Sequence, residues 1–266
     1  MATKAERVLL PSAVTPSHYS LSLVPDLDRL EFLCDEEISV LVSEETDRVI
    51  LHSKEITVSS ASFSSAAASG SSASPTLSEI SYQLEATTLT LRFSAPLPLG
   101  EGVLKISYRG ILNSDMAGFY KSSYADAEGK KKVMASTQFE ALDARRAFPC
   151  WDEPAVKATF AVTITIPSNL TALSNMPESS MTHLSGGKKK IVFETSPKMS
   201  TYLLAWAVGE FDVVRAVTNH GVKINIYSPP GRAEQGRFAL DAGVRALDFY
   251  DDFFGVPYPL PKLDSE

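Results

Sequence analysis

Through most of the chain before Pro229, apolar positions recur with period two. In HYSLSLV, Tyr19, Leu21 and Leu23 fall on one face and His18, Ser20 and Ser22 on the other, the pattern of a half-buried strand. EISVLV (37–42), RVILHSKEITV (48–58), EISYQLE (79–85), TTLTLRF (87–93) and VLKISY (103–108) follow, rich in β-branched and aromatic residues. ATFAVTITIP (158–167), KIVFET (190–195), TYLLAWAV (201–208) and VKINIYS (222–228) come later. Short strands at this spacing, with Gly and Pro between them, predict large antiparallel sheets rather than βαβ units. One interruption, SSASFSSAAASGSSASPT (59–76), is nearly all small residues. It has little to bury against the entropy of ordering, and it reads as a flexible surface loop.

After Pro229 the period changes. In RFALDAGVRALDFYDDFF (237–254), Ala239, Leu240, Ala242, Ala246, Leu247, Phe249, Tyr250, Phe253 and Phe254 occupy one broad sector of a helical wheel. Arg237, Asp241, Arg245, Asp248 and Asp252 occupy the opposite one. Gly255 is placed to cap the C-terminus, and Pro257, Pro259 and Pro261 prevent the helix from resuming. A face this wide, carrying four aromatic rings, calls for a large partner surface. A β domain followed by one such helix reads as the start of a second domain that is cut short.

Charge narrows the function classes. The 266 residues carry a formal net charge of -7, whereas a nucleic-acid binder shows a basic patch. The two lysine runs, at 129–132 and 186–190, each adjoin a turn glycine and read as solvated hairpin tips. No apolar run approaches the roughly 18–20 residues of a membrane span. The N-terminus lacks the apolar segment of a secretory signal. Cys34 and Cys150 are the only cysteines and form no disulfide framework. These features point to a cytoplasmic protein with no nucleic-acid or membrane partner, and Asn169-Leu170-Thr171 reads as a chance glycosylation pattern.

A self-contained catalytic centre is hard to assemble. His18, His52, His183 and His220 lie in or beside strands or at a hairpin, where a lone histidine is structural. No serine elbow, i, i+4 histidine pair, Cys-x-x-Cys or phosphate loop is present. What stands out is TQFEALDARRAFPCWDEP (137–154), with four acidic residues and two arginines in eighteen positions. It is too polar for a core and too aromatic for a plain connection. Alternation at its start puts Gln138 and Glu140 on the same face of a strand end. A carboxylate beside an amide suits an ammonium group, one neutralising it and the other accepting a further hydrogen bond. Composition by itself favours the plainer reading, in which Glu140 pairs with Arg145 or Arg146 on the surface.

The run TQFEALDARRAFPCWDEPAVKATFAVTI (137–165) closely resembles the corresponding segment of the M1 (gluzincin) zinc aminopeptidases, above all their puromycin-sensitive, cytosolic branch. LPSAVTPSHYSLSLVPDL, MAGFYKSSY (with Lys121 where arginine is common), TYLLAWAVGEF and FFGVPYPLPKLD resemble further parts of the same family. The resemblance implies a mainly β fold. Residues 1–212 would form a saddle-shaped, antiparallel, sandwich-like domain, and 213–266 the beginning of a thermolysin-like zinc domain. The family's Gly-Ala-Met-Glu-Asn and His-Glu-x-x-His motifs do not occur in the chain. The resemblance also implies that Glu140 binds a peptide's free α-amine and that Gln138 lines the first side-chain subsite. It implies zinc in the intact enzyme but none bound by this chain, and no catalytic or metal-ligating residue within it. Peptide N-termini would be the substrate, with the missing catalytic and C-terminal domains as partners. By itself the chain would be inactive. The alternative is an M1-like scaffold or interaction module that has lost catalysis. Under either reading Arg145, Arg146, Asp152 and Glu153 form a charge network bracing the loop, Phe148 and Trp151 anchor it, Pro149 and Pro154 stiffen it, and Cys150 is a buried thiol.

Overall fold

The structure, a computed structural model, describes residues 9–65, 75–126 and 128–266. In chain order the strands are β1 (Val14–Asp26), β2 (Glu31–Val42), β3 (Arg48–His52), β4 (Ile56–Ser65), β5 (Leu77–Gln83), β6 (Thr88–Phe93), β7 (Gly100–Ile111), β8 (Gly118–Ala125) and β9 (Lys131–Gln138). They continue as β10 (Thr159–Pro167), β11 (Thr171–Ser174), β12 (Glu178–Leu184), β13 (Lys188–Phe193), β14 (Trp206–Gly209), β15 (Asp212–Val217) and β16 (Lys223–Ser228). Helix α1 (Arg237–Phe254) and β17 (Lys262–Ser265) complete the order.

The fold is mainly β. Seven strands run β12-β13-β10-β1-β2-β7-β4, four run β11-β14-β9-β8, and three run β3-β6-β5. Alternation turns directly into burial: Tyr19, Leu21 and Leu23 of β1 are buried, as are Phe32, Cys34, Ile38 and Val40 of β2. One pair in the large sheet departs from the antiparallel rule. β1 and β10 run parallel, with His18 opposite Thr159, and the chain between them supplies the long crossover that parallel pairing needs. The inward faces merge into one core containing both tryptophans, Trp151 and Trp206.

Three local expectations fail. Residues 59–65 are not loop but the second half of β4, held against β7 with Phe63 opposite Leu104; residues 66–74 of the same expectation lie outside the described residues. The run 48–58 is two strands broken at Glu55, whose φ is 61°. TYLLAWAV begins with a 3-10 turn, Thr201–Leu203, before β14. The lysine runs do adjoin tight turns: Gly129, Gly186 and Gly187 all have positive φ.

A second, smaller cluster forms from Val214, Ile224 and Leu240, where α1 packs on the sheet β15-β16-β17. Gly255 ends the helix in the left-handed conformation, φ 63°, as a C-cap glycine does. The packed face differs from the expected sector. Leu240, Val244 and Leu247 meet the sheet. Phe249, Tyr250, Phe253 and Phe254 stay exposed and stack on one another with centroids 5.0–5.7 Å apart. Phe238 is 86% exposed.

Candidate functional site

Gln138 is the last residue of β9, directly opposite Gly118, the first of β8. Period-two geometry puts it on the face of Ser136, whose hydroxyl donates to Glu266. Phe139 follows and is buried, its ring centroid 5.3 Å from that of Trp206 and 6.0 Å from that of Phe148. Glu140 comes next. Gln138 and Glu140 are therefore both solvent-exposed, with a buried aromatic anchor between them. The Glu140–Ala141 peptide is cis.

Neither arginine is free to neutralise Glu140. The Arg145 Nε donates to Asp152 Oδ2 at 2.9 Å, and its Nη1 donates to Thr87 Oγ1 at 2.7 Å. Arg146 Nη1 lies 3.0 Å from Glu55 Oε2 and 3.3 Å from Asp115 Oδ2. Its Nε sits 2.9 Å from Asp143 Oδ1, an ion pair and not a hydrogen bond, because the N–H does not aim at the oxygen. Among the described residues no cation stands within ion-pair distance of Glu140. The surface pair that composition favoured is not formed.

The rest of the segment is a buried brace, but of the expected four-residue charge network only Arg145 and Asp152 pair with each other, Arg146 turning to Glu55, Asp115 and Asp143. Asp152 accepts from Arg145 through one oxygen and from the Thr201 hydroxyl, at 2.9 Å, through the other. Glu153 takes no part in it and instead accepts the Leu10 N–H at 2.7 Å. Phe148 and Trp151 are buried. His52 and Cys150 exchange two backbone hydrogen bonds, and His52 Nδ1 accepts the Asp152 N–H. Burial and the nearby Arg145 charge hold the His52 imidazole down at about 4, so it is a neutral acceptor at neutral pH. Burial, with the Asp152 charge behind it, pushes the Cys150 thiol well up, so it is not a nucleophile.

An open cleft of about 200 Å³ is walled by Ser136, Thr137, Trp206, Tyr258 and Lys262 among others, and neither Gln138 nor Glu140 lines it. Lys262 Nζ donates to the Ser174 carbonyl at 2.6 Å and also to Asp264. Sequence reasoning missed this cleft, because its walls come from stretches far apart in the chain. Among the described residues no three His, Cys, Asp or Glu side chains are placed to hold a metal, so the residues present do not fit a zinc ion.

A family model for the peptidase M1 N-terminal domain matches residues 15–203. Aminopeptidase M1-C of Oryza sativa subsp. japonica is 48% identical over 255 residues, 96% of this chain and 28% of that protein. The puromycin-sensitive aminopeptidase of Caenorhabditis elegans is 42% identical over 264 residues, 99% of this chain and 27% of that protein. Endoplasmic reticulum aminopeptidase 2 of Homo sapiens is 39% identical over 270 residues, 99% and 28% respectively. The chain thus spans a little over a quarter of the length of the curated relatives it matches. By the family model over residues 15–203 and these matches, the chain belongs to the M1 peptidase family, through that family's N-terminal domain.

Proposed function

We propose that the chain is the amine-recognising N-terminal part of a zinc-dependent aminopeptidase that removes N-terminal residues from peptides. The observation that carries this is Glu140: an exposed carboxylate on a rigid brace, two residues from Gln138, with both neighbouring arginines committed to other carboxylates. Such a carboxylate is available to a ligand's ammonium, and the Gln138 amide supplies a further acceptor beside it. Holding the α-amine at a fixed point lets only the first peptide bond reach the reacting centre, which converts binding energy into position.

The zinc that polarises the scissile carbonyl and activates water in this chemistry would be held by residues outside this chain. We place the domain division at 1–212 and 213–266, which the separate cluster around Ile224 supports. The exposed aromatic face of α1 suits burial by the remainder of a catalytic domain. Two buried, unpaired cysteines suit a reducing cytosol.

The test is to read the gene beyond Glu266 and assay the complete product. The expected result is a following His-Glu-x-x-His and hydrolysis of aminoacyl-arylamides that stops when the amine is acetylated. A complete product without that motif would overturn the proposal in favour of a scaffold, and one whose turnover is indifferent to acetylation would overturn the amine-recognising role.

A further inference from the structure

Three loops meet at one guanidinium. Arg146 lies in the 3-10 turn Ala144–Arg146, and its side chain is only 11% exposed. It contacts Glu55 from the β3–β4 connection, Asp115 from the β7–β8 connection, and Asp143 from the turn that carries Glu140. The backbone closes the same unit, since Asp143 N–H donates to Phe139 O at 2.9 Å and Arg146 N–H donates to Asp143 O at 3.1 Å. Glu140 thus sits inside a loop pinned at Phe139 by ring packing and at Asp143 by this arginine.

The stem of Arg146 also reaches the other half of the site. A Cβ added to Gly118 would lie 2.5 Å from Arg146 Cβ, so the two chains touch there without a side chain between them. Gly118 is the register partner of Gln138. One residue therefore bears on both Gln138, through Gly118, and Glu140, through Asp143. Three carboxylates around one guanidinium exceed what local charge balance requires. A planar fork with several donors is the group that can serve three directions at once, and a lysine ammonium cannot reproduce that geometry.

We propose that Arg146 is a positioning residue for peptide recognition: it sets the spacing of Gln138 and Glu140 and touches no substrate itself. The inference rests on the amine-binding reading of Glu140, and its test separates the two. In the complete gene product, Arg146→Ala, Glu140→Ala and the double variant are compared on an aminoacyl-arylamide. Arg146→Ala is expected to lower kcat/KM by up to about a hundredfold with a clear rise in KM, because a misplacement of about 1 Å in a positioned group carries a cost of that order. It should add little in the Glu140→Ala background, and Arg146→Lys should restore only part of the loss. A merely structural role would reduce competent enzyme and lower kcat at unchanged KM, equally in both backgrounds, and that result overturns the inference while leaving the amine reading intact. Normal kinetics for Glu140→Ala would instead overturn the amine reading, and the inference falls with it. If Arg146→Ala does not fold, Asp143→Asn removes the contact nearest Glu140 and is judged by the same cycle.

Discussion

Loss of Asp152 should destabilise the main core more than any exposed change. Its carboxylate is buried, accepts from the Arg145 backbone N–H at 3.3 Å and from Nε at 2.9 Å, and takes the Thr201 hydroxyl at 2.9 Å. At an effective dielectric near 20, opposite charges 2.9 Å apart attract by roughly 6 kcal/mol before desolvation is counted. Desolvation offsets much of that, so the intact pair contributes modestly. Breaking it is different, because Asp152→Ala leaves the Arg145 guanidinium buried and uncompensated, at a cost of about 3–5 kcal/mol. For a chain of this size that corresponds to a fall in Tm on the order of 10 °C. Intrinsic fluorescence is the right assay, since both tryptophans, Trp151 and Trp206, lie in this core. Replacing both partners, with Arg145→Met and Asp152→Leu, should cost clearly less than Asp152→Ala alone. A Tm for Asp152→Ala within about 2 °C of the parent would refute the reasoning.

Glu36 makes a pH prediction. Both its carboxylate oxygens are buried without a partner and burial raises its carboxyl well above the ordinary value. A carboxyl whose value is raised in the fold contributes fully below its unfolded value, near 4.5, and that contribution is lost as pH rises toward the folded one. Glu36→Gln should therefore flatten the loss of stability as pH rises above about 4.5, measured by urea unfolding at each pH; parallel curves for parent and variant would count against it. The exposed rings of α1 predict self-association of the isolated chain, and Phe249→Glu with Phe253→Glu should reduce it in sedimentation velocity. The isolated 266 residues should leave aminoacyl-arylamides untouched with or without added zinc, and metal-dependent turnover by pure material would contradict the account.

Legibility in the sequence followed the range of the interactions. Strands such as β1 and β10 were plain because alternation is local, whereas their parallel pairing joins positions as far apart as His18 and Thr159 and leaves no local trace. The serine-rich half of β4 carries almost no apolar pattern, and it is a strand because β7 supplies its partner. Residue type and spacing put Gln138 and Glu140 on one face but favour a surface ion pair for Glu140, and their binding roles come from the family resemblance. The contacts that leave Glu140 unpaired were not legible, since Arg146 finds Glu55 and Asp115 at separations of 91 and 31 residues. Glu36, on the same face of β2 as Cys34 and Ile38, is buried with them, a placement that its residue type does not announce. On α1 the wheel showed the apolar sector but not which edge packs. That edge is set by Val214 and Ile224, distant in sequence, which receive Leu240, Val244 and Leu247.

The central claim is that Glu140 receives a peptide's ammonium. The most direct measurement is kcat/KM of the complete gene product and its Glu140→Gln variant on the same peptide with a free and with an acetylated N-terminus. The account predicts that the parent strongly prefers the free amine and that Glu140→Gln removes most of that preference, with KM for the free-amine peptide rising. An unchanged preference in Glu140→Gln would contradict it.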